Sequence, residues 1–382
     1  MSPPASGCVV EIQSHLGGLE PFLARWAALL GPASSPFHSL AWVRAWYTTL
    51  GETDGRRPLL VAVRDRDSGA DLMLLALSSR RSGGLSIVEF ADATVCDYNL
   101  PLLAPNARLS AEHARAIWHA LRRALAAEHD VVRLQKMPRH TLDDTPPRDN
   151  PFCLALPTRP SEVAGTEVPL PDTWDGWRHT LDSAVRREFD RSWRVFTRSP
   201  EAVFERITDP AQALAALEAL EALQSQRMHE VGKPYRLDGA AYRGFYRRLL
   251  QDGLASGDVV LTTLRAGPTH VTVQLGVANH QRYVALRTAN AGGSWKNCSP
   301  GRLGFERTGR HLHEHGLRCF DFGIGDYAYK LVFKGRTLPL FDACEALSWR
   351  GRLWVWAWQL RQATKRPTAP AGPRSGASHR HL

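Results

Sequence analysis

After Gly257-Asp258 the apolar spacing of this chain changes from the three-to-four-residue step of a helix to the two-residue step of a strand. It keeps that step through three successive segments, Val259 to Leu264, Val271 to Val277 and Tyr283 to Thr288. A Gly/Ser/Asn-rich loop from Ala291 to Pro300, a helical segment from Leu303 to Glu314 and the strand Cys319-Phe320-Asp321-Phe322 come next. Three antiparallel strands, a loop, a helix and a further strand predict a mixed, mostly antiparallel sheet flanked by helices, an α/β (α+β) class.

Upstream of that sheet the pattern is helical: about Trp174 to Phe196, Pro210 to about Glu230, and Gly239 to Leu254. The first third of the chain follows a similar plan. Helical segments Leu19 to Leu30 and Ser39 to Leu50 precede β-type runs at Leu59 to Val63, Leu72 to Leu77 and Leu85 to Phe90, then a helix from Ala111 to Glu128 and a strand at Val131 to Leu134. No identical repeat is visible, yet a tandem of two related units is expected from 382 residues. The expected boundaries are a first unit over 1–140, a connection over 141–173 that holds seven prolines, and a second unit over 174–348. A Trp/Arg-rich helix over 349–366 and a disordered basic tail over 367–382 complete the chain.

The formal charge of +10 suggests a nucleic-acid partner only until it is mapped. Arg350, Arg352, Arg361, Lys365, Arg366, Arg374 and Arg380 lie beyond Trp349 with no acidic residue among them, so the body is only mildly basic and suits a small anionic ligand. Six dispersed cysteines include no C-x-x-C pair, which argues against a zinc or dithiol centre. Cys96 and Cys298 adjoin motifs described below, but buried thiols are the simpler reading. The start Met1-Ser2-Pro3-Pro4 lacks the basic and apolar regions of a secretory signal, and no apolar run reaches membrane-spanning length. A cytoplasmic protein is expected.

Ser299-Pro300-Gly301-Arg302-Leu303-Gly304 opens the helix that follows the strand triplet. Backbone N–H groups at a helix start attract phosphate, glycines allow close approach, and Arg302 adds a cation, although Ser-Pro-Gly is also an ordinary helix opening. Downstream, Gly316 to Lys330 ends in Asp321-Phe322-Gly323-Ile324-Gly325-Asp326-Tyr327-Ala328-Tyr329-Lys330. That ending resembles the one in the GNAT-like family that includes the CelD cellulose-biosynthesis proteins. Three further segments resemble the family in order: Ser35 to Trp42, Cys96-Asp97-Tyr98-Asn99, and the basic helix Ala184 to Trp193. The strand Thr269 to Gln274 departs from the family's small apolar residues there.

The resemblance implies two GNAT-like domains and transfer of an acyl group from acyl-CoA, acetyl or longer, to an amine or hydroxyl by direct attack, with no metal. It implies Ser299, Gly301, Arg302, Leu303 and Gly304 as donor-binding residues. Asp97, Tyr98, Asp321, Tyr329 and Lys330 become candidates for holding or deprotonating the acceptor and protonating the leaving thiolate. Structural alternatives stand beside these, such as Lys330 pairing with Asp321. The implied acceptor is a sugar nucleotide, a polysaccharide precursor or another small amine, in envelope or exopolysaccharide assembly. The alternatives are a Fem-type aminoacyltransferase using aminoacyl-tRNA and a non-catalytic binding or scaffold protein on the same fold.

Other features carry less. His311 and His315 share a helix face but lack a third metal ligand nearby in sequence. Arg186, Arg187, Arg191 and Arg194 form a basic stripe that suits an anionic acceptor or tRNA, interleaved with Glu188 and Asp190. The segment Trp354 to Arg361 fits either packing on the domain or weak contact with a membrane surface.

Overall fold

The computed structural model describes residues 7–32, 34–232 and 234–364, and the tail expected over 367–382 lies outside them. Strand β1 (Cys8–Gln13) is followed by helices α1 (Leu19–Leu29) and α2 (Leu40–Thr49), the latter started by Ser39, whose hydroxyl accepts the Trp42 N–H. A meander of β2 (Arg56–Asp65), β3 (Asp71–Ser82) and β4 (Leu85–Phe90) comes next, with the short β5 (Leu102–Leu103) against β3. Helix α3 (Ala111–Leu125), capped by Ser110, leads to β6 (Val131–Pro138), which runs parallel to β4.

The stretch expected as a connection is structured, with α4 (Pro151–Ala155), β7 (Thr158–Pro160) and β8 (Gly165–Pro169). The single helix expected over 174–196 is two, α5 (Trp174–Thr180) and α6 (Ser183–Phe196). Leu181 and Asp182 are extended between them, and Leu181 is buried with Trp174, Trp177 and Phe189. Breaking the helix lets both halves bury their apolar faces in one core.

Strand β9 (Ala202–Ile207), helices α7 (Pro210–Glu230) and α8 (Ala240–Gly253), and the strands β10 (Val259–Ala266), β11 (Thr269–Ala278) and β12 (Arg282–Asn290) continue the second half. Helix α9 (Pro300–Glu314), β13 (Cys319–Ile324), β14 (Arg336–Leu338), β15 (Leu340–Ala346) and α10 (Trp349–Thr364) end it.

The first sheet has the order β1-β2-β3-β4-β6-β15-β7 and the second β14-β8-β13-β12-β11-β10-β9. Each holds one parallel pair, β4 with β6 and β12 with β13, and every other pairing is antiparallel. A helix spans each parallel connection, as α3 and α9, because parallel neighbours need a crossover. Both halves therefore use one plan of meander, crossover helix and parallel strand. Segment 340–346, expected within the second unit, instead inserts between β6 and β7 of the first sheet. One apolar core spans both halves: Trp42 of α2 meets Phe245 of α8 edge to face at 5.1 Å.

Candidate active site

Strands β12 and β13 pair over three positions, Arg282 with Cys319, Tyr283 with Phe320 and Val284 with Asp321, and then part. A bulge in β12 leaves Leu286 without an opposing residue on β11, and Ala285 and Leu286 are partly exposed whereas Arg282, Tyr283 and Val284, which pair with β13, are buried. The sheet is thus open between the later part of β12 and the end of β13.

Asp321 lies at the last paired position and is fully buried. Its Oδ1 accepts from the Tyr98 hydroxyl and from the Gly323 N–H, both at 2.7 Å, and its Oδ2 accepts from Arg282 Nη1 at 2.8 Å. Arg282 also donates to Glu167 Oε2 at 2.8 Å and to Asp143 Oδ1 at 2.9 Å, while Arg336 donates to Glu167 Oε1 at 2.6 Å. Burial raises the Asp321 carboxyl although Arg282 opposes it. At Glu167 burial also acts upward, but Arg282 and Arg336 together outweigh it and hold the carboxyl below its ordinary range.

Past Asp321 the chain turns through Gly323 at φ +65° and Gly325 at φ +102°. A Cβ on Gly323 would lie 2.0 Å from Asp97 Oδ2, so the glycine makes room for a carboxylate sent across from the first sheet's side. Asp97 Oδ2 accepts the Ile324 N–H at 3.2 Å. Lys330 donates from Nζ to the carbonyls of Gly323 and Ile324 at 2.9 and 3.0 Å. Asp97 and Lys330 therefore grip the same short segment, at the place where β12 and β13 part.

Their electrostatics converge. Although Asp97 keeps partial exposure, its carboxyl is pushed up to about 7, mainly by burial with Asp321 adding, against the pull of Lys136, the Ile324 hydrogen bond and Lys330. Burial brings buried Lys330 down to about 8, against Asp97, Asp321 and Asp326. A carboxyl and an ammonium with neighbouring values near neutrality form a pair able to take up and release protons.

Of the sequence candidates, Asp97, Tyr98, Asp321 and Lys330 thus come together. Tyr98 is a committed donor, because burial and Asp321 keep its phenol protonated, and its ring leaves no room for a side chain at Gly165. Tyr329 is stacked on Phe305 at 5.5 Å within an aromatic cluster that includes Phe322 and Phe333, near enough for the Asp97 charge to act on its phenol. Burial raises both the Cys96 and the Cys298 thiol, so neither is activated.

The donor loop is divided in role. Ser299 is left-handed, at φ 45°, and sets the start of α9. Gly301 approaches Asn290, and Gly304 abuts Thr272 of β11, which accommodates the polar residues in that strand. Leu303 is buried against Phe196, Leu264 and Val271, so it is a core residue. Arg302 pairs with Glu188 of α6 at 2.5 Å. Two cations hydrogen-bond the turn before α9: Arg191 Nη1 donates to the Asn297 carbonyl at 3.3 Å and Arg302 Nη2 to Ser299 Oγ at 3.4 Å. The backbone N–H groups at the start of α9 suit a phosphate, with Arg191 beside them.

Sequence reasoning missed Arg282, Glu167, Asp143 and Lys136. Lys136 donates to Asp92 and to the Cys96 carbonyl, beneath the turn that presents Asp97. Arg282 carried one signal: it shares its strand parity with buried Val284, where a charge needs a partner. Among the described residues no cluster of three or more His, Cys, Asp or Glu side chains is arranged to hold a metal.

Residues 183–331 match the family model of the GNAT acetyltransferase domain. The second unit has a GNAT-like fold. Solved structures extend the likeness across both halves. The crystal structure of FemX aligns with a TM-score of 0.58 at 11% identity, over 87% of this chain and 96% of that one. A conserved protein of unknown function from Bacteroides thetaiotaomicron gives 0.52 at 11% identity, over 89% and 100%. The C-terminal domain of an Agrobacterium fabrum protein assigned as a lysylphosphatidylglycerol synthetase gives 0.52 at 11%, over 89% and 96%. No curated protein matches the sequence. The matched residues include α9 and the split strands, and Asp97 reaches them from outside the matched region.

Proposed function

We propose that the protein is an N-acyltransferase that moves an acyl group from acyl-CoA to an amine in the gap between β12 and β13. The observation that carries this reading is the meeting of Asp97, near 7, with Lys330, near 8, at the open end of that strand pair. The amine nitrogen attacks the thioester carbonyl carbon, its proton passes to the Asp97 carboxylate, the C–N bond forms and the C–S bond breaks. The leaving thiolate takes a proton from the Lys330 ammonium, two of whose N–H groups already bond the Gly323 and Ile324 carbonyls. Exchange with solvent then resets both groups. The N–H groups at the start of α9 hold the donor's pyrophosphate, with Arg191 as counter-charge. In keeping with the CelD resemblance, the acceptor amine belongs to a sugar nucleotide or polysaccharide precursor.

A second reading has its own support. Arg187, Arg191, Arg194 and Arg198 are exposed along and just after α6, beside the donor loop, and such a face suits the aminoacyl-tRNA of Fem-type enzymes. Thermal melts with acetyl-CoA, longer acyl-CoAs, free CoA and aminoacyl-tRNA separate the readings. A rise in melting temperature with a CoA ester, and acetyl or acyl transfer lost in Asp97→Asn, supports the first. A shift with aminoacyl-tRNA alone replaces it, and no shift with any of them favours a non-catalytic role.

A further inference from the structure

Helix α10 presents two opposed apolar faces, and only one of them is covered. On the inner face Val355 is buried with Leu85, Ile87 and Val131, and Gly351 sits so close to the Asp130 carbonyl that a Cβ there would be 2.0 Å away. Trp358 lies under the Arg159 guanidinium at 3.6 Å and stacks with Trp354 at 6.4 Å. The start is fixed by Ser348, which donates to Asp130 at 2.6 Å and accepts the Gly351 N–H at 3.1 Å.

The outer face carries Trp349, Leu353, Trp356 and Leu360, which are 72%, 64%, 63% and 47% exposed. At 3.6 residues per turn these four fall within about 60° of arc, a continuous stripe on the side away from the domain. They are half of the eight exposed large hydrophobic side chains among the described residues, gathered on one helix. Exposed Arg350 and Arg352 flank the stripe. From Arg350 onward the sequence contains Arg350, Arg352, Arg361, Lys365, Arg366, Arg374 and Arg380 and no Asp or Glu.

We infer that α10 is a membrane-surface anchor, which lays the Trp349-Leu353-Trp356-Leu360 stripe into the headgroup region of an anionic bilayer with the basic residues on lipid phosphates. The occupant follows from the chemistry of the face. Indole rings prefer the boundary between headgroup and acyl chain, leucines reach deeper, and a segment with cations and no acidic residue is drawn to a negative surface. No helix among the described residues is long and apolar enough to cross a membrane, so α10 would lie along the surface. Because its inner face is fixed to the first sheet, docking would hold the whole folded body at the bilayer.

The test is flotation of the full chain with vesicles of phosphatidylcholine alone or of phosphatidylcholine with phosphatidylglycerol. The wild-type protein should float with the anionic vesicles, and floating should weaken as salt is raised. In Leu353→Glu/Trp356→Glu the bound fraction should fall by roughly tenfold or more. Both side chains are exposed, so an unchanged melting temperature verifies folding. The variant Arg352→Gln/Lys365→Gln/Arg366→Gln should lose the preference for phosphatidylglycerol. Equal floating with both vesicle types, or none with either, overturns the inference. So does a light-scattering mass of a dimer that Leu353→Glu/Trp356→Glu returns to a monomer, since the stripe would then face a second copy.

Discussion

Asp97 and Lys330 are usable together because burial moves a carboxyl and an ammonium toward each other on the pH scale, and that has a sign that can be checked. A base must be deprotonated and an acid protonated, so kcat/KM should rise as pH passes about 7 and fall above about 8, with the apparent values belonging to the pair. In Asp97→Asn the rising limb should vanish and kcat should drop by roughly 10²–10⁴-fold. Stability reads the same group independently. The folded value of Asp97 is raised, so the folded state holds the proton more tightly, and stability falls as pH climbs from the ordinary carboxylate value through about 7. Asn removes that loss, so Asp97→Asn should melt higher than wild type at pH 8 and show little difference at pH 4. At Gly323 the constraint is spatial. An alanine there meets both a φ of +65° and the Asp97 carboxylate at 2.0 Å, so Gly323→Ala should displace the base. We expect activity to fall by at least roughly a hundredfold for about 1–3 kcal/mol of stability, measured by turnover and urea melts on the same sample.

At the scale of elements, the start of α9 is where the donor should be felt. Gly301→Asp puts a carboxylate among N–H groups that would otherwise meet a phosphate, and the nearest atoms to its Cβ belong to the Asn290 side chain, which can move. The variant should keep its own melting temperature within a few degrees and lose the rise caused by an acyl-CoA. The strand triplet, α9 and β13 were legible in the sequence because alternation and helical period are local signals. The break at Leu181-Asp182 was not, since the helical apolar spacing runs through it and only the shared core decides that the helix divides. Strands β7, β8 and β15 were missed or assigned to the wrong neighbour because their pairing partners lie far along the chain. The Asp97-Tyr98 and Asp321-to-Lys330 motifs were legible as motifs. Arg302 and Leu303 were chosen by position in the loop, whereas Glu188 and the core behind α9 fix what those side chains do.

For the whole molecule, two features join the halves besides the shared apolar core: β15, which follows the second unit and completes the first sheet, and the hub at Arg282. Arg282 takes carboxylates from three separate places, Asp143 and Glu167 in the proline-rich stretch between the units and Asp321 at the split. All four side chains are almost wholly removed from solvent. Replacing the arginine therefore costs more than its own hydrogen bonds, because it strands negative charge where water cannot reach it. Arg282→Leu should destabilise the protein by about 3–5 kcal/mol, and the loss should depend on pH in a fixed direction. Burial already raises the Asp321 carboxyl against the pull of Arg282, so without the guanidinium its ionisation opposes folding more strongly and stability declines as pH increases. The variant should accordingly lie closer to wild type at pH 5 than at pH 8. Because the hub and β15 bind the halves into one core, calorimetry should give one transition for both proteins. Two separate transitions in the wild type would mean that the halves fold independently, and an equal loss at both pH values would mean that Arg282 acts by packing rather than by charge.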